Sequence, residues 1–145
     1  MNRFIMQLIV VPLVFFTGCS ASAQRSPSTP PSAIANGRSI FQTGHDLDGV
    51  QITAQRRPLR QSCAACHRPT GAGGVHFPDG AVSADLRHAA LVTAQKHPYT
   101  LASLERAIST GTDNEGKRLD PVMPHWRLSQ RDLHDVAHYV LTQLK

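Results

Sequence analysis

The pentapeptide Cys63-Ala64-Ala65-Cys66-His67 decides how the rest of the chain is interpreted. It follows the pattern C-x-x-C-H, which is typical of an attachment site for a c-type haem. At this spacing each thiol can form a thioether bond with one vinyl group of the same porphyrin, and the adjacent imidazole can bind the iron. The motif therefore predicts one covalently bound haem c per chain, with Cys63 and Cys66 as attachment residues and His67 as the proximal iron ligand.

Two other interpretations of a C-x-x-C pair fit this sequence less well. A structural zinc site needs four ligands, usually from two such pairs, whereas the only other cysteine is Cys19. A thioredoxin-like redox pair would stand in a βαβ pattern and would lack the following histidine. The chain of 145 residues can bury one modest core, and its formal net charge of +5 does not by itself indicate nucleic-acid binding.

The N-terminus has the pattern of a secretory signal peptide, which predicts export to the periplasm. A short basic start precedes an apolar run from Phe4 to Phe16 that is short for a membrane span. Phe16-Thr17-Gly18-Cys19 resembles a bacterial lipobox, which would make 1–18 the signal and Cys19 the lipid-modified first residue. The alternative is an ordinary cleavage site at Ala21-Ser22-Ala23, which would remove 1–23.

We favour the lipobox because it gives Cys19 a chemical role, that of a membrane anchor. Residues 19–32 are rich in Ser, Pro and Ala, and this composition predicts a disordered tether. The folded domain is then expected at 33–145.

Three amphipathic segments predict a mostly α-helical domain. The first includes Ile34, Gly37, Ile40 and Phe41 on one face and ends at Gly44. The second begins after Thr100 and ends at Gly111, and the third begins after Ser129, with Asp132 as its capping-box partner. The apolar stripe of the third consists of Leu133, Val136, Ala137, Val140, Leu141 and Leu144. A shorter helical turn is expected between Ala84 and Leu91, and a short strand between Val50 and Thr53.

From about Ala33 to Lys145 the chain resembles the bacterial class I monohaem c-type cytochromes. The resemblance implies the cytochrome c fold, a small helical domain around one haem. Gly37 and Phe41 match a glycine and an aromatic residue of that family's first helix. Tyr139 stands where the family has an aromatic residue that packs against it. The glycine would let the last helix cross the first at close range.

The sixth iron ligand must come from downstream of the haem motif. In the resembling family a methionine before a proline supplies it, and Met123 stands before Pro124 in a loop that precedes the last helix. His125 is the second choice, and the further candidates are His97, His88, His76 and His45. Met/His ligation gives a higher reduction potential than two imidazoles.

One feature departs from the simplest pattern of the family. Residues 44–62 form an insertion between the first helix and the haem motif, to which the sequence assigns no role. The family also orients the proximal imidazole with a proline carbonyl, for which Pro78 is the expected match and Pro69 the alternative.

These features predict one-electron transfer by a periplasmic or membrane-tethered carrier, not an enzyme. The alternatives are an electron-transfer subunit of a dehydrogenase or oxidase complex, and a catalytic or sensory haem domain in which Met123 is not a ligand. Arg56, Arg57, Arg60 and Arg68 surround the haem motif without intervening acidic residues. They suggest docking to an acidic patch on a redox partner.

Overall fold

A computed structural model describes residues 32–145, so the predicted signal peptide, Cys19 and nearly all of the predicted tether lie outside the described residues. The described part is mostly helical, as predicted. Its elements are α1 (Ala33–Thr43), β1 (Thr53–Ala54), α2 (Cys63–His67), a π-helical turn (Ala89–Thr93), α3 (Leu101–Thr110), β2 (Trp126–Arg127) and α4 (Gln130–Gln143). No helix within 32–145 has the length and apolar character that crossing a membrane requires.

The ends of the long helices are set by local hydrogen bonds, and the capping residues Thr100, Gly111 and Ser129 are the ones that the sequence predicted. Thr100 and Ser103 form a reciprocal capping box at the start of α3, and Gly111 ends it in the left-handed conformation at φ +67°. The hydroxyl of Ser129 accepts from the backbone N–H of Asp132 at 3.1 Å, which confirms the predicted cap of α4. The capping box predicted there is wrong, since the Asp132 carboxylate accepts from the Ser129 hydroxyl at 2.5 Å rather than from its backbone.

Helices α1 and α4 cross at the centre of the core, and Gly37 permits the crossing. A Cβ atom at this position would lie 2.1 Å from the carbonyl oxygen of Asp135. One turn further along α1, the rings of Phe41 and Tyr139 pack with centroids 5.6 Å apart. Both contacts confirm the roles that the family resemblance implied.

A buried polar cluster joins the same two helices. The side-chain amide of Asn36 is 1% exposed and donates to the carboxylates of Asp132 and Asp135, each at 2.8 Å. Its oxygen accepts from the backbone N–H of Leu47 at 3.0 Å. A buried amide is stable only when its polar atoms are paired, so these bonds fix how α1, α4 and the segment after α1 meet.

Two weaker predictions require correction. The helical turn expected between Ala84 and Leu91 instead spans Ala89–Thr93, because the Asp85 carboxylate accepts from the backbone N–H of Arg87 at 2.9 Å and forms a turn there. The strand expected between Val50 and Thr53 lies at Thr53–Ala54, where β1 finds its antiparallel partner β2.

Candidate functional site

The haem motif forms a single helical turn, and all three of its chemical groups line one cavity. Ser62 caps α2 by accepting from the backbone N–H of Ala65 at 3.3 Å. Positions i, i+3 and i+4 of a helix share a face, so Cys63, Cys66 and His67 point to the same side. They line a cavity of about 280 Å³.

The imidazole of His67 has one ring nitrogen hydrogen-bonded and the other without a hydrogen-bond partner in the described residues. Its Nδ1 lies 2.8 Å from the backbone carbonyl oxygen of Ala84. A carbonyl can only accept, so Nδ1 donates this bond, and in the neutral ring Nε2 is the nitrogen with a free electron pair. Burial lowers the pKa of His67, although the bond to Ala84 acts in the opposite direction. A neutral imidazole is the form that binds a metal.

The expected proline carbonyl does not orient His67, which corrects the prediction for Pro78 and Pro69. The carbonyl of Pro69 instead accepts from the Gln42 side chain at 2.8 Å. Ala84 is seventeen residues after the histidine, and the returning chain brings its carbonyl to the imidazole.

A glycine places the Ala84 carbonyl against the haem motif. The backbone N–H of Gly73 donates to the carbonyl of His67 at 2.9 Å. A Cβ on Gly73 would lie 2.3 Å from the Ala84 oxygen, and the residue adopts φ +61°. Both observations require glycine here. The adjacent Gly74 N–H donates to the Ser83 carbonyl at 2.9 Å, which ties the two segments together.

The cavity walls are mostly apolar, and they are drawn from several segments between α2 and β2. The side chains beyond the motif are Phe77, Val82, Leu86, Leu91, Tyr99, Leu104, Ala107, Ile108, Leu119, Val122 and Trp126, together with a few polar residues. A flat, largely apolar macrocycle next to two thiols and a neutral imidazole fits this donor set and lining.

Met123 lines this cavity, and of the histidines in residues 32–145 only His67 does. His125, the second choice, is turned towards the end of α3, where a Cβ on Gly111 would lie 2.2 Å from its Nε2. His45 has its Nδ1 3.2 Å from the carbonyl of Thr43, at the end of α1. The structure therefore brings His67 and Met123 to one cavity and leaves the other candidates outside its walls.

Both thiols of the motif are hard to ionise in the folded chain. Desolvation by burial raises the pKa of Cys63 to about 12. Burial also raises the pKa of Cys66, while the nearby Arg60 guanidinium lowers it. A thiol rather than a thiolate is a poor nucleophile and a poor metal ligand.

The sequence prediction missed two residues of this site. Ala84 acts through its backbone, so its side chain carries no signal. Tyr99 lines the cavity, and burial raises the pKa of its hydroxyl. The sequence did offer a signal for Tyr99. It stands directly before Thr100, the N-cap of α3, and an apolar residue at that position often packs against the first turn of the helix.

The four arginines near the motif are exposed, as is the intervening Leu59, whose exposure is 73%. Leu59 and Arg60 line a small recess next to the cavity together with Pro124. The segment that precedes the haem motif is therefore exposed and basic, and it carries one exposed apolar side chain.

Comparison with known proteins gives one clear result. The family model described as Cytochrome c matches residues 34–143, which is most of the chain and all four α-helices apart from the first residue of α1. No curated protein matches the chain.

Proposed function

The chain belongs to the cytochrome c family, and on that premise we propose that it is a bacterial, class I, monohaem electron carrier with His67 and Met123 as axial ligands. The cofactor is haem c, covalently bound, and the general activity is haem-based electron transfer rather than enzymatic catalysis. When bound, the haem iron supplies a ferric/ferrous couple. The remaining steps concern what the residues of this chain do.

Cys63 and Cys66 hold the cofactor, and His67 orients it. The helical turn of α2 sets the two thiols and the imidazole on one side, and the Ser62 cap stabilises that turn. The hydrogen bond to Ala84 fixes the orientation of the His67 ring and would raise the basicity of Nε2 as a ligand for the haem iron.

The observation that carries the proposal is that Met123 and His67 line the same apolar cavity, whereas the other histidines of residues 32–145 do not. Two protein ligands would leave no open coordination position for a substrate. A thioether paired with an imidazole favours a higher reduction potential than two imidazoles. Both consequences suit an electron carrier.

Visible spectra of the oxidised and reduced protein test the proposal. The oxidised wild type should be low-spin with a thioether-to-iron charge-transfer band. Met123→Leu keeps the volume but removes the sulfur, so the band should vanish and the potential should fall. His125→Ala should leave the band unchanged. A wild type without the band, or one that binds carbon monoxide as readily as Met123→Leu does, would instead favour a catalytic or sensory haem domain.

The cellular setting belongs to the same proposal. The N-terminal pattern supports export to the periplasm, and Cys19 in its lipobox-like context supports a lipid anchor. If Cys19 is the anchor, wild-type protein fractionates with membranes and Cys19→Ala becomes soluble. Co-purification under mild conditions distinguishes a free carrier from a subunit of a dehydrogenase or oxidase complex.

We also propose that the basic surface beside the haem motif receives an acidic redox partner. Arg56, Arg57 and Arg60 are exposed and lie in the segment just before Cys63. The exposed apolar Leu59 lies between Arg57 and Arg60 in the sequence. A positive rim around the electron-exit edge would steer a negatively charged protein towards it.

A further inference from the structure

The inserted segment Gly44–Ser62, here called the insertion, has a definite structure. It begins as a small hairpin in which Asp46 N–H donates to the Val50 carbonyl at 3.0 Å and Ile52 N–H donates to the Gly44 carbonyl at 2.9 Å. Ile52 is buried in the main core. The insertion is therefore packed against the domain rather than looped out into solvent.

The hairpin is anchored to helices α1 and α4. Leu47 N–H donates to the buried Asn36 side chain at 3.0 Å. Asp48 pairs with Arg131 of α4 at 3.0 Å, and Asp46, which is 8% exposed, lies 4.0 Å from the same guanidinium. These contacts fix one end of the insertion to α1 and α4.

The other part of the insertion is hydrogen-bonded to the chain that follows Met123. In the antiparallel pair of β1 with β2, Ala54 stands opposite Trp126. Immediately after β1, Gln55 N–H donates to the His125 carbonyl at 3.0 Å. Trp126 is 4% exposed and lines the haem cavity.

The segment that carries Met123 is held on its C-terminal side by the hydrogen bond from Gln55 N–H to the His125 carbonyl. On its N-terminal side, Leu119 N–H donates to the Gly111 carbonyl at 2.8 Å, and within it Met123 N–H donates to the Asp120 carbonyl at 2.9 Å. The next anchor along the chain is the bond from Gln55. Met123 therefore lies between one attachment to α3 and one attachment to the insertion.

We propose that the insertion is a positioning device for the sixth ligand, with the backbone N–H of Gln55 as its main contact. The inference rests on the proposed ligation by Met123. A thioether is a weak, neutral ligand, so the bond depends on how often the loop presents the sulfur at the right distance. Fixing the loop from the insertion would raise that fraction, and it would keep His125 beside Gly111 at the end of α3, outside the cavity walls.

The test removes the backbone N–H donor at position 55 and leaves the length of the chain unchanged. Gln55→Pro deletes the donor, and Ala54, being in a strand, already has the conformation that a following proline requires. Gln55→Ala keeps the donor and removes only an exposed side chain, so it is the matched control. Imidazole is titrated into each oxidised holoprotein, because it competes with the sixth ligand and binds in proportion to the open fraction.

We expect Gln55→Pro to bind imidazole about fivefold more tightly than wild type, the effect of one net hydrogen bond. Its thioether charge-transfer band should weaken, and Gln55→Ala should match wild type in both readouts. Equal imidazole affinities for Gln55→Pro and wild type, when both have the band, would overturn the proposal and leave Met123 ligation intact. A wild type without the band would overturn both.

If Gln55→Pro fails to assemble with haem, Thr53→Gly takes its place. Glycine at this exposed strand position raises the entropic cost of ordering β1, and Thr53→Val is the control that keeps strand propensity. Thr53→Gly should tighten imidazole binding about threefold. Affinities that match between Thr53→Gly and Thr53→Val would count against the insertion as a positioning element.

Discussion

The imidazole Nδ1 of His67 lies 2.8 Å from the carbonyl oxygen of Ala84, and Gly73 is the residue that allows this approach. If His67 binds the haem iron as proposed, the bond would make the imidazole a more basic ligand and so stabilise the ferric state. Gly73→Ala would place a Cβ 2.3 Å from that oxygen and should break the bond. We expect the reduction potential to rise, measured by redox titration.

Gly80→Ala is the control for the backbone cost of that change. Gly80 also has a positive φ, +89°, but a Cβ there would meet nothing within 4 Å. The Gly80→Ala variant should have a lower free energy of unfolding than wild type and an unchanged reduction potential. Equal potentials for both variants and wild type would show that the Ala84 bond does not tune the iron.

Covalent attachment through the motif gives a second prediction. Cys63→Ser combined with Cys66→Ser should yield no haem-staining band on a denaturing gel, because a hydroxyl does not form the thioether. Cys19→Ala removes the remaining cysteine outside the motif and should keep the band. A stained band in the double variant would rule out thioether attachment at this motif.

The close crossing of α1 and α4 predicts a severe effect of a small change. Gly37→Ala would bring a Cβ to 2.1 Å from the Asp135 carbonyl, so the helices must separate. We expect a loss of about 2–3 kcal/mol in the free energy of unfolding, measured with urea. Arg38→Ala on the exposed face of the same helix should change it by less than about 0.5 kcal/mol. Similar losses for the two variants would contradict the close-packing explanation.

Acid should weaken the contact between α1 and α4. Burial opposes ionisation of Asp132, but hydrogen bonds from Ser129 and Asn36 and the nearby Arg131 outweigh it and lower its pKa. A carboxyl with a lower pKa in the folded state stabilises the fold above its unfolded pKa of about 3.9, and this contribution disappears as pH falls through the folded value.

Asp132→Asn should therefore destabilise the protein by roughly 1 kcal/mol at pH 7, and the difference from wild type should shrink below about pH 4. Urea unfolding at several pH values measures it. Glu115→Gln, which breaks only an exposed pair with Lys117, should have little effect at any pH. If Asp132→Asn lowers the free energy of unfolding by the same amount at every pH, the loss comes from packing and not from the charge of Asp132.

The basic surface predicts opposite salt effects for oppositely charged electron acceptors. Oxidation of the reduced protein by an anionic iron complex should slow as salt rises, because screening acts within about 8 Å at physiological ionic strength. Oxidation by a cationic ruthenium complex should accelerate. Stopped-flow absorbance measures both rates.

Arg57→Gln with Arg60→Gln should slow the anionic reaction at low salt more than Arg38→Gln with Lys145→Gln does. The control pair removes the same charge from exposed residues that lie far in sequence from the segment preceding the haem motif. If the two double variants respond alike, net charge alone explains the effect and the surface has no special role in docking.

The sequence by itself determined the cofactor motif and the ends of the long helices. Cys63, Cys66 and His67 are adjacent along the chain, and the caps at Thr100 and Ser129 bond to groups three residues away. Such contacts depend on local spacing, so a sequence pattern reports them. Met123 was proposed as a ligand from its place in the family pattern, and its position in the cavity wall is consistent with that proposal.

Only the tertiary structure decided which backbone groups meet across the fold. The carbonyl that holds His67 comes from Ala84 rather than from a proline, and the insertion bonds through Gln55 to the chain after Met123. Every residue has a carbonyl, and every residue except proline an N–H, so neither contact leaves a trace in residue identity. They arise because burying α1 against α4 and closing the cavity brings distant backbone segments to hydrogen-bonding distance, where an unpaired polar group would be costly.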